Sequence, residues 1–162
     1  MEKEVTSVLQ EISELLQRQK VSVAVAESCT AGLIQHHLSH AEEAMNFFQG
    51  GITVYNIGQK AKHLNINPIA AEACNAVAAE IAEKMAMEVA KLFNAEVGLS
   101  ITGFAQPVPE EDVKDCYAWI AVAKNGAIIC TEKLTGNKEQ DLCANQDIFA
   151  EKALAQFLNA IQ

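Results

Sequence analysis

VSVAVAESCTAG, residues 21–32, is the stretch on which the fold turns. Val21 through Ala26 are small or β-branched and carry no charge, which is the pattern of a strand buried on both faces. Glu27, Ser28 and Thr30 are poor strand formers and good helix starters, so a helix is expected to follow, to about Ser39, with Leu33, Ile34 and Leu38 inward. Ser28 has two readings at this junction. It is either an N-cap, or a hydroxyl set beside backbone N–H groups that can hold a phosphate or a developing oxyanion. Cys29 is a second candidate nucleophile, because a helix N-terminus lowers a thiol pKa, although no histidine lies close to it in sequence.

Working outward, residues 2–19 place Val5, Val8, Leu9, Ile12, Leu15 and Leu16 at steps of three and four, one apolar helical stripe. GGITVYN, residues 50–56, is a second strand candidate, and a short helix over 60–64 is ended by Asn67–Pro68. The alanine-rich stretch 70–93 predicts one long helix with Asn94 as its C-cap. VGLSIT, residues 97–102, is a third strand, and GFAQPVPEED, 103–112, is a loop. CYAWIAVA and AIICTEKL flank Asn125–Gly126, which predicts a hairpin with a type I′ turn, and a last helix is expected over 138–160.

The order α-β-α-β-α-β-β-β-α predicts one domain over residues 1–162. Its expected fold class is α/β, a three-layer α/β/α sandwich on a mixed, mainly parallel sheet. Ligands of such sheets bind beyond the carboxyl ends of the strands. That rule selects Glu27, Ser28, Cys29 and Thr30 after the first strand, and Thr102 and Gly103 at the third. Tyr55 and Lys60 follow the second strand and could bring a hydroxyl donor and an amine to the same pocket. Lysine becomes a general base when burial lowers its pKa.

Composition narrows the function classes. A net charge of -9 and a single arginine, Arg18, speak against nucleic-acid binding. No apolar run reaches the roughly 20 residues that cross a bilayer, and the N-terminus lacks a signal-peptide core, so no membrane association is expected and the cytoplasm is. Five cysteines without a C-x-x-C pair suit reduced thiols. His36, His37 and His40 sit at helical spacing but lack the glutamate of an H-E-x-x-H site, so no metal is expected.

AESCTAG at 26–32 resembles the AESCTGG signature of CinA-like carboxyl-terminal domains. FFQGGITVY at 47–55, Lys60 with Leu64, NAVAAEIAEKMA at 75–86 and SITGFA at 100–105 follow in the family's order, so the resemblance runs over roughly residues 5–160. It implies an α/β/α sandwich and a nicotinamide-nucleotide amidase, which converts nicotinamide mononucleotide and water to nicotinate mononucleotide and ammonia without a cofactor. By the same resemblance Ser28 attacks the carboxamide carbon, Lys60 takes its proton, Tyr55 assists, Thr102 lines the site and the helix-start N–H groups hold the oxyanion. The family's final-helix arginine, which meets the substrate phosphate, has no counterpart in the Asp141–Gln146 segment. The alternative is therefore a catalytically inactive or altered-specificity relative that binds a nucleotide or a protein partner. The expected partner is a small amide or nucleotide substrate, and a homo-oligomer is expected.

Overall fold

The computed structural model describes residues 2–162. Five strands form one sheet in the order β2-β1-β3-β4-β5, where β1 is Val23–Glu27, β2 Phe48–Thr53, β3 Val97–Phe104, β4 Tyr117–Lys124 and β5 Ala127–Thr135. β1 pairs in parallel with both β2 and β3, and the β3–β4 and β4–β5 pairs are antiparallel. The sheet is mixed, as expected, but it is not mainly parallel: parallel and antiparallel pairings are equal in number. The late hairpin is the reason, because two strands joined by a two-residue turn can only run antiparallel. Asn125 and Gly126 both have positive φ, 51° and 79°, as a type I′ turn requires.

Alternation along the strands separates two faces. Val23 and Val25 of β1 and Val97, Leu99 and Ile101 of β3 pack against α1 (Glu2–Gln19), α2 (Leu33–Ser39) and α6 (Leu142–Ile161). Ala24 and Ala26 face the other way, toward α3 (Ile57–Leu64), α4 (Pro68–Glu72) and α5 (Ala79–Leu92). That second face is built from small residues because α5 lies close to the sheet. A Cβ on Gly98 would overlap the Ala86 carbonyl, and Ser100 Oγ donates to the Ala82 carbonyl at 2.6 Å.

Four helix expectations change. The single helix over 70–93 is two helices, α4 and α5, separated where Asn75 and Ala76 take left-handed φ of 53° and 56°. Helix propensity gives way there to tertiary contact, since the Ala76 carbonyl turns inward and accepts from Thr102 Oγ1 at 2.7 Å. The short helix opens earlier than 60, at Ile57, because Asn56 caps it by accepting from Gln59 N. The helix after β1 begins only at Leu33, with Gly32 at φ 104° in front of it, so Ser28 is in a turn and is not an N-cap. The last helix likewise starts at Leu142, capped by Asp141, which accepts from Ala144 N.

Candidate functional site

β1 lies between β2 and β3, and the chain leaves β1 toward one neighbour and later returns on the other side. That is a topological switch point, where the carboxyl ends of parallel strands open a crevice. Ser28 immediately follows β1, Tyr55 and Lys60 follow β2, and Gly103 is near the end of β3.

The turn from Ser28 to Gly32 is folded around Glu27. Its carboxylate is fully buried and accepts from Thr30 Oγ1 at 2.5 Å, Gly32 N at 3.0 Å, Ile34 N at 3.2 Å and Gln35 N at 2.8 Å. A carboxylate survives burial only with such a complement of donors, and here they also tie the turn to the first residues of α2. Ala31 at φ 53° and Gly32 at φ 104° give the chain its reversal. The N–H groups at the start of α2 are therefore engaged by Glu27 and are not free to hold an oxyanion, which corrects the expectation drawn from the resemblance.

Lys60 reaches the same turn from α3. Its side chain is buried, and Nζ donates to Ser28 Oγ at 2.9 Å and to the Val54 carbonyl at 3.0 Å. Val54 N in turn donates to the Glu27 carbonyl at 2.8 Å, so serine and lysine are fixed to one backbone frame. Burial pushes the Lys60 amine down from 10.5 to about 8, with Cys29 pulling slightly the other way. A buried hydroxyl beside an amine of that acidity is the arrangement of a Ser–Lys dyad.

The Cys29 thiol is pushed up to about 12, chiefly by burial, against the opposing effect of Lys60 and of the N–H groups of Cys29 and Thr30. It stays a thiol at neutral pH, which leaves Ser28 as the nucleophile candidate. A cavity of about 200 Å³ opens over the dyad and is lined by Ser28, Cys29, Tyr55, Gly103, Phe104 and Leu142 among others. Tyr55 lies at its mouth, 61% exposed, and among the described residues its hydroxyl has no hydrogen bond to Ser28 or Lys60.

Of the residues selected from sequence, the fold brings Ser28, Cys29, Tyr55, Lys60 and Gly103 together. Glu27, Thr30 and Thr102 are fully buried and committed elsewhere, the first two to each other and Thr102 to Ala76. Thr102 points to the α5 face because it alternates with Ile101 on β3. Sequence reasoning passed over Leu142, which lines the cavity, and Gln146, whose Nε2 donates to the Cys29 carbonyl at 2.9 Å. Asp141 as an N-cap would have shown that these two stand four apart on one face of the first turns of α6. Among the described residues no group of three or more His, Cys, Asp or Glu side chains could hold a metal ion.

Residues 5–161 match the model of the CinA C-terminal domain. The chain is 31% identical over 155 residues to a CinA-like protein of Chlorobium phaeobacteroides, covering 93% of this chain and 37% of that one. It is 36% identical over 134 residues to a CinA-like protein of Chlorobium chlorochromatii, covering 80% and 31%. It spans about a third of the length of these curated relatives. Protein MG115 of Mycoplasma genitalium is matched along nearly its whole length, 32% identical over 147 residues, covering 90% of this chain and 92% of that one. Among solved structures, the competence or damage-inducible protein of Enterobacter asburiae superposes with a TM-score of 0.90 over 98% of both chains at 22% identity, a likeness of fold. A competence-damaged protein (CinA) superfamily protein of Escherichia coli gives 0.87 at 25% identity, covering 98% of this chain and 91% of that one.

Proposed function

This chain belongs to the CinA C-terminal domain family, and from that premise we propose that it is an amidohydrolase of the nicotinamide-nucleotide amidase type, working through Ser28 and Lys60. The single observation that carries the reading is the 2.9 Å contact between Lys60 Nζ and Ser28 Oγ under an open cavity. In its neutral form Lys60 takes the Ser28 proton as Oγ attacks the carboxamide carbon. The C–N bond then breaks, and the lysine ammonium returns that proton to the departing nitrogen, which leaves as ammonia. Water, deprotonated by the same amine, hydrolyses the acyl ester, the carboxylate departs and Ser28 is restored. In this reading Tyr55, which lines the cavity and makes no hydrogen bond to Ser28 among the described residues, contacts the substrate. Five unpaired cysteines support a reducing compartment, the cytoplasm.

The test is ammonia release from nicotinamide mononucleotide and its phosphate-free analogues by purified protein. Ser28→Ala is expected to abolish release with the melting temperature preserved. Release unchanged in that variant would overturn the assignment of the nucleophile.

A further inference from the structure

We infer that the carboxamide substrate of this site carries no phosphate: the cavity over Ser28 is built for a small neutral or cationic amide, such as a pyridine carboxamide or its pyridinium nucleoside. This deepens the amidohydrolase reading and rests on it. At about 200 Å³ the cavity is smaller than the roughly 300–1,000 Å³ of sites that enclose drug-sized ligands. Phe104, Ala105, Val108 and Leu142 supply apolar walls, and Gln106 is an uncharged polar neighbour. A phosphate brought against such walls would lose its hydration without charge-assisted donors to replace it.

Among the cations near the site, Lys114 is exposed and stands between Asp112 and Asp115 in sequence, and four others are engaged. Lys60 is beneath Ser28, spent on Oγ and on the Val54 carbonyl. On α6 Leu142 lines the cavity, Gln146 one turn on is tied to the Cys29 carbonyl, and the helix's lysine, Lys152, donates to the Thr135 carbonyl. Lys138 pairs with Asp115, and Lys133 sits over the Tyr117 ring at 4.2 Å. Arg18, the one arginine of the chain, ends α1 near the start of β1, a strand length of about 17 Å from the carboxyl end where Ser28 lies. The loop that supplies Val108 continues directly into Glu110, Glu111 and Asp112, all exposed. Three carboxylates in that position oppose a dianion and complement a pyridinium.

The experiment compares ammonia release from nicotinamide mononucleotide, nicotinamide riboside and nicotinamide, with calorimetric binding of the same three to Ser28→Ala. The expected result is a kcat/KM for a phosphate-free compound at least about tenfold above that for the nucleotide, and no competition by inorganic phosphate. Leu142→Arg, which sets a guanidinium on the cavity wall, is expected to move the nucleotide-to-nucleoside ratio about tenfold toward the nucleotide. Preference of the native protein for the nucleotide overturns the proposal and leaves the amidohydrolase reading standing. A ratio that a folded Leu142→Arg fails to move also overturns it. Turnover of none of the three, with the nucleoside still bound more tightly than the nucleotide, overturns hydrolysis and upholds the ligand class. Binding of none overturns both.

Discussion

The amine of Lys60 sets a pH dependence that can be worked from its surroundings. Burial brings its pKa from 10.5 to about 8, a preference of about 3 kcal/mol for the neutral form over an exposed lysine. At pH 7 roughly one amine in ten is then neutral and able to take the Ser28 proton, and at pH 9 roughly nine in ten. The expected profile of kcat/KM rises about tenfold per pH unit below 8 and levels above it. Ammonia release measured from pH 6 to 9.5 on a carboxamide without a titrating group gives that profile directly. Lys60→Arg, whose guanidinium does not deprotonate, is expected to lose about 10²–10⁴-fold at every pH. The same shift acts on stability. The folded state releases the Lys60 proton near pH 8 and the unfolded chain only near 10.5, so the unfolded state binds more protons between those values. Stability conferred at this residue therefore rises with pH across that window and is lowest below it. Urea unfolding at pH 7, 8, 9 and 10 is expected to show this increase, and Lys60→Met to remove it. A kcat/KM profile flat from pH 6 to 9 would refute the assignment of Lys60 as base.

Other substitutions test the frame around the dyad. Glu27→Gln puts an amide donor against backbone N–H groups that now donate to a carboxylate, and is expected to cost about 2–5 kcal/mol, seen as a melting temperature lowered by roughly 10 °C. Thr102→Val leaves the Ala76 carbonyl without its donor, and is expected to cost about 1–3 kcal/mol in urea unfolding while KM stays within twofold, because Thr102 does not line the cavity. Gly98→Ala drives a methyl group into the Ala86 carbonyl and is expected to destabilise by about 1–3 kcal/mol or more in the same assay. Cys29→Ala removes a thiol that is neutral at working pH, and is expected to leave the inflection of the pH profile within a few tenths of a unit.

Much of this protein is legible in its sequence, because the deciding signals are local. An uncharged run of small and β-branched residues from 21 to 26 can only be buried, and its abrupt end at Glu27–Ser28 marks the crevice. Asn125–Gly126 dictates a hairpin, since both residues must take positive φ. The apolar stripe of α1 follows from its spacing alone. Where the structure departs from local preference, a distant partner overrules it. Nothing between 70 and 93 announces that a threonine 26 residues beyond Ala76 will claim its carbonyl and part the helix. Nothing beside Ser28 announces that a carboxylate one residue earlier will gather the donors at the head of α2.

Sequence by itself determined the layered fold, the place of the crevice and a short set of reactive side chains, since strand burial, turn chemistry and helix periodicity are properties of neighbouring residues. Only the tertiary structure decided which of those side chains meet. Ser28 and Lys60 are 32 positions apart, and their contact exists because β1 and β2 run parallel and end side by side. Glu27, Thr30 and Thr102 share the crevice in sequence yet turn into the protein, where burial obliges each to find a partner. The charge of the cavity wall is likewise a tertiary fact, set by which face of α6 meets the turn after β1.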